Sequence, residues 1–215
     1  MMFEVDEIYL KKYKPVLITL SLIAFLIIIV ALISNFWPKN ELQFIELGLL
    51  GTNKLADNYF SYENSTVLVN SQVDWYLYLH NHTPDSQDVI IKVKLLNSSM
   101  EIPDDQKHIP ILIDSFTELQ MSLNENETLL APFSWRITKT YSQDDLITLN
   151  DLIVNSEPVK INVSTREDSF FRMVFELWVY DSASQEYKFE WNSGENLFST
   201  SLYIGFRIIN ASNVT

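Results

Sequence analysis

The chain has 215 residues, a formal net charge of −13 and no cysteine. Without cysteine, disulfides, thiolate metal sites and thiol nucleophiles are excluded. The acidic balance argues against a nucleic-acid-binding protein, which needs a basic surface. Most of the acidity lies after residue 39, where 11 basic and 25 acidic side chains remain.

An uncharged segment of 24 residues lies between Lys14 and Lys39. Its apolar part, residues 16–34, would reach about 29 Å as an α-helix, which is close to the roughly 30 Å hydrocarbon core of a bilayer. We therefore predict a transmembrane helix over residues 15–38, with Pro15 in its first turn and Pro38 at its end. A cleaved signal peptide is the alternative, but its apolar run is usually shorter and ends at small residues.

The flanking charges predict how the span is oriented. Lys11, Lys12 and Lys14 precede it and only Lys39 follows closely, so the N-terminus is expected in the cytoplasm. This predicts a cytoplasmic tail at 1–14 and an extracytoplasmic domain at 39–215 of a cell-membrane protein. The linker is so short that we expect the domain to lie close to the bilayer.

Seven Asn-x-Ser/Thr sequons follow the predicted span and none precedes it. This one-sided distribution indicates a domain that meets a glycosylation machinery. The candidate acceptors are Asn64, Asn81, Asn97, Asn126, Asn162 and Asn210, whereas Asn213 lies too near the C-terminus. Pro84 disfavours Asn81. The alternative is that asparagine replaces glycine in turns, because the chain has only four glycines.

Apolar residues alternate with polar ones after the span, which is typical of β-strands. Strands are predicted at 73–80, 88–96, 128–138, 159–164, 170–181 and 197–209, and less regular ones at 42–50, 116–123 and 186–191. Seven to nine strands with polar turns between them favour a mainly β fold, an antiparallel β-sandwich.

Two segments modify this simple pattern. In 142–154, Ser142 and Asp145 resemble a helix cap, and Leu146, Leu149 and Leu152 share a helical face, so one short inserted helix is predicted. Trp178 and Tyr180 lie on the strand face opposite Phe175, and Tyr76 and Tyr78 lie on the face opposite Trp75. We expect a loop or another subunit to cover these second faces; the alternative is an exposed patch for carbohydrate or protein.

Several short stretches resemble a known family. They are Glu46-Leu47-Gly48 through Gly51, Asp57-Asn58-Tyr59-Phe60, Leu79-His80-Asn81-His82, Val89 to Leu95, and Phe175-Glu176-Leu177-Trp178. Across about residues 42–181 the chain resembles an archaeal family of single-span, membrane-anchored proteins of unknown function. The resemblance implies an immunoglobulin-like or CARDB-like β-sandwich at an archaeal cell surface, and it carries no catalytic residues. The chain departs from the family at Tyr59-Phe60, where a Tyr-Pro is usual.

One short motif could bind a metal. His80 and His82 would point to the same face of a strand, as copper or zinc ligands do. A third ligand would have to come from His108, Asp85 or Asp88, and we interpret the pair as polar residues near a turn. The acidic pairs 104–105, 144–145 and 167–168 lack calcium-loop spacing.

No catalytic motif, phosphate loop or dinucleotide fingerprint occurs, so we expect no enzyme activity and no cofactor. The first hypothesis is a structural or accessory subunit of a larger membrane or cell-envelope assembly, with protein partners in the membrane plane. The alternatives are an adhesion or surface-layer anchoring module, and an extracytoplasmic copper-binding protein or metal-assisted enzyme that uses His80 and His82.

Overall fold

The computed structural model describes residues 3–36, 43–193 and 196–209. The chain divides into two compact units, Met1–Glu41 and Leu42–Thr215, which are described separately. The predicted linker at 38–40 and the sequons at Asn210 and Asn213 lie outside the described residues.

The first unit is one helix, α1, from Phe3 to Phe36. Within it, Tyr13–Val30 has a mean hydropathy of 2.4 and no buried residue. Pro15 lies inside the helix, so its predicted place in the first turn is wrong. The twelve residues before it contain neither glycine nor proline and continue the helix toward the N-terminus. The Thr19 hydroxyl donates to the Pro15 carbonyl at 2.9 Å, a bond of the kind that satisfies hydroxyls in an apolar helix.

The second unit is built from β-strands. Those on or near predicted positions are β1 Ile45–Leu50, β3 Gln72–Asn81, β4 Gln87–Asn97, β5 Thr117–Leu123, β6 Thr128–Gln143, β8 Glu157–Arg166, β9 Phe171–Asp181, β10 Glu186–Lys188, β11 Trp191–Ser193 and β13 Thr200–Ile209. The single strand predicted at 197–209 is divided into β12 Asn196–Phe198 and β13, and two strands were not predicted, β2 Thr66–Leu68 and β7 Leu146–Val154. The prediction of a mainly β fold is confirmed.

Two sheets face each other across one hydrophobic core. The first has the order β1-β3-β6-β7-β8, and the second contains β2-β13-β9-β4-β5 with β10 beside β9. Trp75 and Phe133 from the first sheet meet Phe175 from the second, with ring centroids 6.2 and 5.2 Å apart. The predicted alternation holds here, because every second residue of β3, β4 and β9 is buried in this core.

The inserted helix predicted at 142–154 is wrong. Strands β6 and β7 form a hairpin there, with Asp144 and Asp145 both at positive φ, 51° and 62°. In the pairing with β6, the neighbouring residues Lys139 and Thr140 lie opposite Asp151 and Leu149, so Asn150 is an extra residue that changes which side chains of β7 face inward. Inward residues then recur at 149, 152 and 154, a spacing that imitates a helical face.

One pairing among the described strands is parallel, whereas the others are antiparallel, as the predicted sandwich requires. β2 pairs parallel with β13, from Thr66 opposite Arg207 to Leu68 opposite Ile209. The chain leaves β1 in the first sheet, crosses to β2 in the second and returns to β3 in the first. This crossing brings β2 to the edge of β13 in the same direction, which a hairpin would not do.

The long β4–β5 connection, residues 98–116, covers the outer face of the second sheet. Lys94 and Glu176, on neighbouring strands of that face, form an ion pair of 2.7 Å and are buried. Ile111 of the connection accepts a hydrogen bond from Lys94 Nζ at 2.6 Å, and its N–H donates to Glu176 Oε1 at 2.7 Å. The expected loop coverage is therefore found around Trp178, whose Nε1 donates to Glu176 Oε2 at 3.1 Å, whereas Tyr180 on the same face is exposed.

Candidate functional site

His80 and His82 lie together at the end of β3. Their ring centroids are 4.1 Å apart, and His80 Nδ1 is 2.6 Å from the Thr128 hydroxyl. His82 stacks on Phe44 with centroids 4.4 Å apart, and its Nε2 is 3.4 Å from Glu46 Oε2. The two imidazoles are thus held by neighbouring side chains and already have polar partners.

The structure does not supply these histidines with a complete ligand set. Among residues 3–36, 43–193 and 196–209, no group of three or more His, Cys, Asp or Glu side chains could hold a metal ion. His108, a proposed third ligand, instead lies 2.9 Å from the Ser199 hydroxyl. The carboxylate of Asp88 accepts a short hydrogen bond from Ser122.

The acidic pair Asp104–Asp105, which lacks calcium-loop spacing, is engaged in local structure. Asp104 pairs with Lys107 at 2.9 Å and also accepts its backbone N–H. This ion pair and hydrogen bond lower the pKa of Asp104. Asp105 accepts hydrogen bonds from the backbone and hydroxyl of Ser201. These carboxylates therefore organise turns.

A cavity of about 350 Å³ lies between the β3–β4 turn, the β9–β10 hairpin and the β11–β12 hairpin. Its wall consists of Gln43, Thr83, Pro84, Asp85, Gln87, Val179, Tyr180, Asp181, Ser182, Lys188, Glu190, Trp191, Asn192 and Leu197. A row of stacked rings connects it to the histidine pair: Trp191 contacts Phe198, which contacts Phe44 beside His82. The cavity and the histidines therefore lie at the same end of the β domain.

Asp181 organises the rim of this cavity. Its carboxylate accepts hydrogen bonds from Lys188, the Ala183 backbone and the Ser184 hydroxyl. The Lys188 hydrogen bond, followed by those from Ala183 and Ser184, lowers the pKa of Asp181 to about 2. The same pair raises the pKa of Lys188. Both groups are charged at neutral pH and fix the β9–β10 turn.

Trp191 belongs both to the cavity wall and to the core. The residue is 8% exposed, and its Nε1 atom is buried without a hydrogen-bond partner, as are Trp135 Nε1 and Asn150 Oδ1 elsewhere in the domain. The burial of Nε1 means that this atom does not open onto the cavity.

The sequons occupy different environments. Asn81 is fully buried, and its Nδ2 donates to the carbonyls of Asp85, Leu123 and Asn124. A glycan is attached through this same nitrogen, so the folded domain cannot present Asn81 as an acceptor. Asn97 also uses its Nδ2, donating to the Ser164 carbonyl at 3.0 Å.

Asn64, Asn126 and Asn162 are exposed. Asn64 and Asn126 have positive φ values of 57° and 55°, as the glycine-replacement alternative anticipates. Asn162 lies on β8, the edge strand of the first sheet, and does not have a positive φ. Its asparagine is therefore not explained by replacement of glycine in a turn. Glycosylation at these sites stays a prediction.

Sequence reasoning placed the two histidines side by side correctly but missed the cavity and the Lys94–Glu176 pair. The cavity wall comes from segments more than 150 residues apart, beginning at Gln43 and ending at Leu197. No local spacing could have assembled it. The alternation in β4 and β9 did place Lys94 and Glu176 on the same side of the sheet, which was the available signal for the ion pair.

Comparisons with known proteins give structural neighbours only. No protein family and no curated protein sequence matches the chain. Among solved structures, it is similar to the CARDB domain of a Pyrococcus furiosus protein in complex with di-metal ions, with 10% identity, a TM-score of 0.37 and coverage of 79% of this chain and 90% of that one. A Listeria innocua β-glucosidase in complex with gluconolactone has 11% identity and a TM-score of 0.32, over 81% of this chain and 18% of the enzyme.

Proposed function

We propose that the chain is a single-span, membrane-anchored protein whose second unit is an immunoglobulin-like domain outside the cytoplasm. In this proposal it acts as a non-catalytic accessory subunit of a larger membrane or envelope assembly. The three lysines before the span give it a cytoplasmic N-terminus.

The observation that carries the proposal is the exposed apolar surface of α1. No described side chain of the Tyr13–Val30 window is buried. Hydrocarbon side chains such as Phe25 (62% exposed) and Ile27 (64%) would be unfavourable in water, at roughly 25 cal/mol per Å² of apolar surface. A bilayer provides the matching environment for a helix of this length.

A second apolar surface supports a partner for the β domain. On the β4–β5 connection, Leu112 is 93% exposed and Ile109 51% exposed, with Ile102 at 41%. Several exposed apolar side chains on one connection of an otherwise acidic domain favour a protein contact there. We assign this surface to the partner subunit.

The anchoring part is tested by washing native membranes with alkaline carbonate. The full-length chain should stay in the membrane pellet with its N-terminus intact. Release into the supernatant, or loss of residues 1–36 from the mature protein, would mean that the segment is a signal sequence and would end the proposal.

The subunit part is tested by purifying the tagged full-length chain from native membranes in mild detergent. Mass spectrometry should find a stoichiometric membrane partner. The double variant Ile109→Ser/Leu112→Ser should reduce the partner yield, while the control Leu55→Ser, also exposed at 58%, should not. A chain that runs alone in all variants would overturn the subunit role.

A second candidate is an adhesion or surface-layer anchoring module. The polar cavity near Asp85 and Trp191 favours it, because such a cavity can hold an extracellular ligand. Binding of the chain to isolated surface layer, in the absence of a membrane partner, would support this second role.

A further inference from the structure

We propose that Asn64 carries an N-linked glycan whose first sugar lies in an open cavity beside it and packs against the Phe170 ring. The inference rests on the proposed function, because the domain must lie outside the cytoplasm to meet a glycosylation machinery. It deepens that function by selecting one sequon and by giving the attached sugar a defined place on the domain.

The cavity beside Asn64 has a volume of about 420 Å³ and lies where the edge strand β2 meets β13. Its wall consists of Asn64, Ser65, Phe170, Gly205, Phe206 and Arg207, none of which lines the cavity near Asp181. The wall contains no carboxylate. It combines aromatic surface with hydrogen-bond donors, a combination that suits a molecule with hydroxyl groups and an apolar face.

Asn64 has the free amide that attachment requires. Asn81 and Asn97 use their Nδ2 as donors to backbone carbonyls, whereas Asn64 is exposed and its amide makes no hydrogen bond within the described residues. Its backbone is left-handed, with φ 57° and ψ 32°. Because the Asn64 side chain itself lines the cavity, a sugar bonded to Nδ2 starts at the cavity wall.

Attachment is a glycosyl transfer from a lipid-linked oligosaccharide whose C1 atom is bonded to a phosphate oxygen. The C1–O bond breaks, C1 bonds to Asn64 Nδ2, and the lipid phosphate leaves with the bonding electron pair. Nδ2 loses one proton to a base of the transferase. Thr66 completes the Asn-Ser-Thr acceptor motif.

Gly205 and Phe170 form the aromatic part of the wall. Gly205 lies within β13 and has no positive φ, so the backbone conformation does not require glycine there. A Cβ at this position would come within 3.3 Å of the Phe170 ring. Glycine in a strand often marks a close approach by another group. Here it lets Phe170 lie against β13, where the ring can pack against the apolar C–H face of a pyranose.

The covalent bond decides which molecule occupies the cavity. A sugar tethered at Asn64 is present at the wall at a high effective concentration, whereas a free ligand would have to bind an open cavity from solution. Arg207 is exposed and can only donate hydrogen bonds, and the hydroxyl oxygens of the tethered sugar can accept them.

Glycopeptide mass spectrometry of the full-length chain from native membranes tests the attachment. The peptide that contains Asn64 should carry a glycan, and Asn64→Asp should remove one glycan from the intact mass. Aspartate is chosen because it also accepts a positive φ. An unmodified Asn64 in a chain glycosylated at Asn162 would overturn the inference and leave the location outside the cytoplasm standing.

A chain without a glycan at any sequon would also overturn the inference. Protease treatment of intact cells would then decide the location of the β domain separately. Cleavage of this domain from outside would keep the proposed function, and full protection would end both.

Thermal unfolding tests the packing of the sugar. In the glycosylated chain, Asn64→Asp should lower the unfolding temperature by about 2–4 °C, the shift expected when a domain of this size loses one modest contact. The same substitution in unglycosylated chain from a host without N-glycosylation should change it little. Phe170→Leu should abolish the glycan-dependent part of the shift. Asn162→Gln is the control that removes a glycan without affecting this contact.

A glycan-dependent shift that persists in Phe170→Leu, or no such shift in the wild-type background, would overturn the packing. If Phe170→Leu fails to fold, nuclear Overhauser contacts between the first sugar and the Phe170 ring of the wild-type chain decide the question. Their presence supports the inference, and their absence overturns it.

Discussion

Lys94 and Glu176 form a 2.7 Å ion pair on the outer face of the second sheet, and their side chains are only 3% and 0% exposed. The pair lies outside the main core, beneath the β4–β5 connection. Glu176 also accepts hydrogen bonds from Ile111 and Trp178. One carboxylate therefore joins two strands and the connection that covers them.

Removing one partner of this pair should be strongly destabilising. We expect Lys94→Met to lower the free energy of unfolding by about 3–5 kcal/mol, because Glu176 keeps a buried charge without its counter-ion. The measurement is guanidinium unfolding followed by tryptophan fluorescence. The double variant Lys94→Met/Glu176→Leu should recover part of the loss, and the exposed control Lys160→Met should change little. A double variant as unstable as the sum of the singles would contradict this coupling.

The Asp181–Lys188 pair predicts an acid-side loss of stability. The folded pKa of Asp181 is about 2, below its ordinary value of 3.8, so its contribution is present above pH 3.8 and disappears as the pH falls toward 2. The stability difference between wild type and Asp181→Asn should shrink over this window. Carboxyl NMR titration should report the same depressed pKa, and Lys188→Met should raise it. If the stability difference between wild type and Asp181→Asn stayed constant with pH, the depressed pKa of Asp181 would be refuted.

We expect the exposed sequons to carry glycans and the buried sequon to carry none. We expect intact-mass analysis of the native protein to lose one glycan with Asn162→Gln and none with Asn81→Gln. Asn81→Gln should instead destabilise the fold by about 1–3 kcal/mol, because its buried hydrogen bonds cannot all be replaced. Asn162→Gln should leave stability unchanged within about 0.5 kcal/mol. A glycan found on Asn81 would mean that modification precedes folding there.

The β6–β7 turn should be improved by residues that accept positive φ. Asp144→Asn/Asp145→Gly should stabilise the domain by about 1 kcal/mol, because both positions are left-handed in the hairpin. If residues 142–154 were helical, the same glycine would destabilise instead. Asp168→Gly, in a turn without positive φ, is the matched control and should lower the unfolding temperature.

The limits of sequence reasoning are visible at particular residues. Alternation placed Trp75, Phe133 and Phe175 in the core, because side-chain period two depends only on the strand itself. It failed in β7, where one bulge turned a spacing of two into a spacing of three around Asn150. Alternation also could not show that Glu176 is buried. Its side chain is covered by the β4–β5 connection, whose sequence has no apolar period. The cavity depends on the order of strands in space, which local patterns do not contain.

The position of β13 has a consequence for how the domain folds. Among the described strands, Thr200–Ile209 comes last in the sequence, yet it lies between β2 and β9 in the second sheet. Until β13 pairs with β9, the apolar residues of β9 lie along an unpaired edge that can join other chains. Completion of the second sheet therefore depends on contacts between segments far apart in the sequence, which form slowly because a long loop must close first.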